Sequence, residues 1–155
     1  MGRRSTRPDK NIYQLAREDA GLTREKASEK MAGISDDRIE KIESGKVQIR
    51  PDEVLQMSRC YKKPELCNLY CSGECAIGIE QVPPIREKDL PTIALEILSV
   101  MRALEKEKEL LIDIAADGRI TQDEISDFET IRSHLQSLSG TVGSLNLWLL
   151  KQQND

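Results

Sequence analysis

The sequence predicts an all-α chain in two parts, a bundle of about five short helices followed by an antiparallel hairpin of two long ones. Leu and Ile recur at helical spacings along most of the chain. Residues that start and stop helices lie close together before residue 75 and far apart after residue 91. Between the two parts, residues 76–91 gather Pro83, Pro84 and Pro91 among charged side chains, and the Pro-Pro pair disfavours helix at Val82 and Pro83.

Residues 1–10 read as a basic arm carrying Arg3, Arg4, Arg7 and Lys10. A domain over 11–75 follows, with helices expected at 11–20, 23–31, 35–44 and 51–61, and a fifth from near Pro64 to Gly73 or Cys75. Thr23 and Ser35 are placed to accept backbone N–H bonds as N-caps, and Pro51 supplies a fixed φ at a first turn where Asp52 and Glu53 complement the helix dipole. Gly21 and Gly45 suit left-handed C-terminal positions. Residues 76–91 read as a linker, and 92–155 as the hairpin, with helices over 92–116 and 121–152 joined at Asp117-Gly118-Arg119-Ile120. In the second helix Phe128, Ile131, Leu135, Leu138, Val142, Leu145 and Leu149 alternate steps of three and four, the seam of a coiled coil or antiparallel pair. Ile97, Val100, Leu104, Leu111 and Ile114 make a partial match in the first, interrupted by Glu107. Two helices bury little core alone, so the seam is expected to serve dimerisation or packing on the first domain. Gly140 and Gly143 weaken the helix locally and admit another backbone closely.

With 155 residues, 32% of them charged and 38% hydrophobic, the chain suits one or two small globular units. No apolar run approaches the roughly 20 residues that cross a bilayer, so no membrane partner is expected. The basic N-terminus leads into an amphipathic helix rather than an apolar signal core, which points to the cytoplasm. One histidine, four cysteines and 3% aromatics argue against histidine-rich metal enzymes and against single-strand binders that stack bases on aromatic platforms. Charge is divided unevenly: residues 1–63 carry 15 Lys/Arg against 11 Asp/Glu, a balance of +4, and residues 64–155 carry 8 against 16, a balance of −8. The first part can meet a polyanion, and the second repels one.

Gly21-Leu22-Thr23-Arg24-Glu25, Gly33-Ile34-Ser35, the run from Arg38 through Ile39-Glu40-Lys41-Ile42-Glu43-Ser44-Gly45 to Lys46, and Pro51-Asp52-Glu53-Val54-Leu55 occur in this order. Residues 11–66 thereby resemble the Cro/λ-repressor-type helix-turn-helix, the XRE family. The residues agree with a shared core of Leu15, Leu22, Met31, Ile34, Ile39, Ile42, Val54 and Leu55, leaving the start of the Ser35 helix exposed. The resemblance implies a λ-repressor-like bundle bound to double-stranded DNA. Residues 23–31 would support and 35–44 would enter the major groove, with Ser35, Asp36, Asp37, Arg38 and Lys41 facing the bases. Arg38 or Lys41 would read guanine, whose N7 and O6 both accept, while Arg24, Lys46 and Arg50 would lie near phosphates. Asp36, Asp37 and Glu40 are repelled by phosphates and match only cytosine amino groups. Arg3, Arg4, Arg7 and Lys10 would offset them along the backbone or in a minor groove. The turn through Met31-Ala32-Gly33-Ile34 is one residue longer than is usual in the family, and Ala27-Ser28 stands where a bulky residue and alanine are usual. Both departures bear on the aim of the recognition helix.

Cys67, Cys71 and Cys75 are spaced by four, with Cys60 one helix earlier. This is not the C-x2-C spacing of zinc knuckles, so they read as reduced structural thiols, with metal binding or a redox disulfide as alternatives. Asp113, Asp117, Gly118, Ile120 and Glu124 match part of a calcium loop, but Ala115 removes its third ligand. An Asp-Gly helix end followed by a capping box from Thr121 to Glu124 explains the same letters. His134 has no cysteine or acid cluster near it in sequence and reads as a surface or interface residue. No catalytic set is present, so neither an enzyme nor a cofactor is expected. The expectation is a dimeric transcription regulator; the resemblance suggests a bacterial or phage-type repressor, and activation is equally compatible with these residues. The alternatives are an adaptor or antitoxin-like protein whose acidic hairpin binds another protein, and a cysteine-based metal or redox sensor.

Overall fold

The computed structural model describes residues 9–116 and 118–153, so Arg3, Arg4 and Arg7 of the expected arm and Asp117 of the expected turn lie outside the described residues. The chain is all-α. Helices α1 (Ile12–Asp19), α2 (Arg24–Lys30), α3 (Asp36–Glu43), α4 (Pro51–Cys60), α5 (Glu65–Gly73), α6 (Ala76–Gln81), α7 (Leu90–Ala116) and α8 (Ile125–Gln152) follow in order. They fall into two compact units. One ends at Pro84 and takes up the chain again from Leu150; the other is Ile85–Leu149.

The starts of the first three helices follow from capping chemistry. Asn11, Thr23 and Ser35 each accept a backbone N–H from three residues on, at 3.0, 3.2 and 3.2 Å. Gly21 and Gly45 both adopt φ +69°, where a side chain would be strained. The first core is Tyr13, Ala16, Ala27, Met31, Ile34, Ile39, Ile42, Ile49, Val54, Met57, Tyr61 and Leu66. Leu15 and Leu55, expected inside, are instead 47% and 42% exposed. Tyr13 and Ala16 take the inward face of α1, and Val54 and Met57 that of α4, so the intervening leucines point outward.

Residues 76–81, expected within a linker, form α6. The Pro83-Pro84 pair restrains only its own neighbours, so nothing prevents a turn and a half of helix upstream. Gly78 lets that helix lie on α5: a Cβ there would come 2.0 Å from the Cys71 carbonyl oxygen. Helix α7 begins at Leu90, two residues earlier than expected, because Asp89 Oδ1 accepts the Thr92 N–H at 2.8 Å and Pro91 needs no donor in the first turn. Helix α8 begins at Ile125, four residues later than expected, since Thr121 donates both its N–H (2.8 Å) and its hydroxyl (2.7 Å) to Glu124 ahead of the helix.

Within Ile85–Leu149, α7 and α8 run antiparallel. His134 Nδ1 lies 2.9 Å from Glu107 Oε2, and Thr141 donates to Glu96 at 3.3 Å, so later residues of one helix meet earlier residues of the other. Glu107, which breaks the apolar pattern of α7, is therefore the partner of His134, an acid that sequence proximity does not reveal. Ile93, Val100, Ile114, Ile131 and Leu147 are buried. Ile85 covers Gly143, where an added Cβ would sit 2.7 Å from its Cδ1.

Candidate nucleic-acid interface

The site is built on α2, the turn after it, and α3. Ala27 is fully buried, and Ser28 donates its hydroxyl to the Ile34 carbonyl at 2.8 Å, tying α2 to the end of the turn. Gly33 turns the chain at φ +75°, and Gln56 of α4 accepts the Ala32 N–H at 2.8 Å. The longer turn is thus pinned from both sides. Ile39 and Ile42 sink the inner face of α3 into the core, and Ser35, Asp36, Asp37 and Lys41 are exposed on its outer face.

Two buried carboxylates brace this helix. Glu43, with a side chain 1% exposed, receives Arg17 through Nε and through Nη2 at 3.0 Å, and Arg24 through Nε at 2.8 Å. Glu53, fully buried at the start of α4, receives Arg38 through Nε at 2.7 Å and Nη2 at 2.8 Å. It also accepts the Arg50 N–H at 2.8 Å. The Arg38 guanidinium, followed by desolvation and the Arg50 N–H, sets the balance at the Glu53 carboxyl, which is held down to about 2. Arg38 Nη2 further donates to the Gln48 carbonyl at 2.9 Å.

The expected reading residues therefore separate. Arg38, expected at a guanine, has its guanidinium held by Glu53 and Gln48, because an ionised carboxylate without water needs a charged donor. Arg24 is likewise held at Glu43, with about a third of its side chain exposed. Ser35 caps α3 with its hydroxyl and is exposed. Lys41 is exposed, Lys46 reaches Glu40 at 3.2 Å with 61% of its side chain exposed, and Arg50, 64% exposed, lies near Asp52 and Glu53. Lys10 of the arm pairs with Glu18 at 2.7 Å, which holds the Glu18 carboxyl below its usual range. Sequence reasoning missed Glu43 and Glu53 as the organisers of the site. The signal available was a glutamate at an inward helical position beside an isoleucine or valine.

An open cleft of about 610 Å³ borders this site between Lys10–Tyr13, the loop Gly45–Ile49 and Glu74. Tyr13 donates to Glu74 across it at 2.7 Å, and burial with that bond raises the phenol's pKa. Cys60, Cys67, Cys71 and Cys75 are half-buried free thiols. Burial pushes the Cys60 thiol up, and Cys67 Sγ lies 3.3 Å from Ser58 Oγ. Among the described residues, no three His, Cys, Asp or Glu side chains are grouped to hold a metal ion.

In the expected dimer seam, Ile131 is buried and Phe128, Leu138 and Leu145 are half-buried. Ile131 is thus turned inward rather than to an outer surface. Leu135, Val142 and Leu149, seven residues apart, are 48%, 42% and 45% exposed. No described helix is long and apolar enough to cross a membrane. Comparison with known protein families, curated proteins and solved structures finds no match for this chain.

Proposed function

We propose that this chain is a sequence-specific double-stranded DNA-binding regulator of transcription, a repressor that acts as a dimer in the cytoplasm. The observation that carries the reading is α3 itself. Its inner face is locked by Ile39, Ile42 and the Glu43 and Glu53 bridges, while its outer face stays exposed. A single helix presented in this way fits the width of a major groove. Lys41 is then the guanine reader, and the exposed Asp36 and Asp37 accept from cytosine amino groups. Lys46 and Arg50, more than half exposed, approach phosphates. Arg38 positions the helix and does not touch the bases.

Lys41→Ala tests this without disturbing a buried pair. Loss of a base contact costs about 1–3 kcal/mol, so affinity for a selected duplex should fall about tenfold or more by fluorescence anisotropy, with helical circular dichroism unchanged. Undiminished affinity removes Lys41 from the reading role. Arg38→Lys separates positioning from contact: it should lower thermal stability as well as affinity, because a lysine cannot make the paired bonds to Glu53.

A further inference from the structure

Helix α7 has two unlike faces. Ile93, Val100 and Ile114 are buried on one of them. On the other face Leu95, Leu98, Arg102, Glu105, Glu109 and Ile112 succeed one another in steps of three and four, and every one is exposed. Leu95, Leu98 and Ile112 expose 69%, 51% and 60% of their surface. This is the spacing of a coiled-coil seam, lying outside the hairpin's own packing.

The order of charges along the seam selects its occupant. A second copy laid parallel would oppose each residue to itself, stacking Arg102 on Arg102, Glu105 on Glu105 and Glu109 on Glu109. A copy laid antiparallel about a twofold axis between positions 103 and 104 sets Leu95 against Ile112 and Arg102 against Glu105, each twice. It also opposes a to d positions, as antiparallel coiled coils require. Leu98 then meets Glu109, whose methylenes can cover it while its carboxylate reaches water. The contact from 95 to 112 is about 26 Å long. We infer that the outer face of α7 is the dimer contact and that it receives α7 of a second copy in the antiparallel sense. The inference rests on the dimer part of the proposed function and is independent of DNA binding. The opposed Arg102 and Glu105 set register and direction.

The test uses the full chain, reduced, in sedimentation equilibrium. The unaltered protein should dimerise, and Arg102→Glu and Glu105→Arg should each raise the dimer Kd about tenfold or more. Mixing the two variants should restore association, since one then presents two acids where the other presents two bases. That recovery also shows that both chains are folded. Leu135→Ser with Val142→Ser should leave the dimer intact. A dimer insensitive to both reversals, or a mixture without recovery, overturns the α7 contact. If the Leu135 and Val142 variant then dissociates, the dimer reading stands on α8 instead. An unaltered protein that stays monomeric at high concentration overturns the inference and the dimer reading together.

Discussion

The unit ending at Pro84 and the Ile85–Leu149 hairpin handle charge in opposite ways. In the first, Glu43 and Glu53 are buried, and each is gripped by two arginines that come from other elements or from the adjoining loop. In the second, Lys108–Glu105 and Arg132–Glu129 are pairs three residues apart on exposed helix surface, each worth about 0–1 kcal/mol. Lys88–Glu96, extended by Thr141, and the His134–Glu107 contact are partly shielded there. The bundle is therefore oriented from within by charge-assisted bonds of fixed geometry. The hairpin depends on apolar contacts and leaves several leucines outside. One unit holds a helix still with buried charge, and the other leaves apolar side chains exposed along its helices.

Glu53 is where the bundle is most sensitive to loss of buried charge. Glu53→Gln should destabilise the bundle by about 3 kcal/mol, since it leaves Arg38 beside a neutral buried group, while the hairpin's own amide exchange stays unchanged. The same carboxyl sets an acid window. Its folded pKa of about 2 lies below the roughly 4.3 of an unfolded glutamate, so its contribution is full above that value and is lost as pH falls toward 2. The unfolding free energy from denaturant titrations should fall between pH 5 and pH 2 in the unaltered protein, by about 3 kcal/mol from this group, and fall less in Glu53→Gln.

Gly78→Ala comes next. Its Cβ would meet backbone at Cys71, which cannot swing aside, so α6 should undock from α5 at a cost of about 2 kcal/mol or more. Hydrogen exchange should rise over residues 76–81 and remain unchanged in α7. Gly143→Ala is the corresponding change in the hairpin, and there the added carbon meets only the end of the Ile85 side chain. That side chain can turn away, so the expected loss is about 1 kcal/mol or less by thermal melting. Equal effects at the two glycines would contradict the contrast between rigid and adaptable contacts.

Much of the fold was legible in the sequence because it rests on local rules. Thr23 and Ser35 each cap the helix that follows, and the glycines at 21 and 45 adopt the left-handed turn that ends the one before. Helix α6 escaped notice because Pro83 and Pro84 outweighed a six-residue helix that is held by contact with α5 rather than by propensity. In the hairpin the step of three and four was visible, but periodicity does not say which residues turn inward; Ile131 does and Leu135 does not. At the candidate site Arg38 and Lys41 look alike in sequence, three residues apart on one helix. Only the fold brings Glu53 and Gln48 to Arg38 and leaves Lys41 exposed.

Sequence-specific DNA binding is put to the test by selecting bound duplexes from a random DNA pool with the reduced protein, followed by affinity for the winner and a scrambled duplex at two salt concentrations. A dimeric regulator should enrich an inverted repeat with a fixed spacing and prefer it over the scrambled duplex even at the higher salt. No enrichment, with only weak binding that salt abolishes, would rule out sequence-specific recognition by α3.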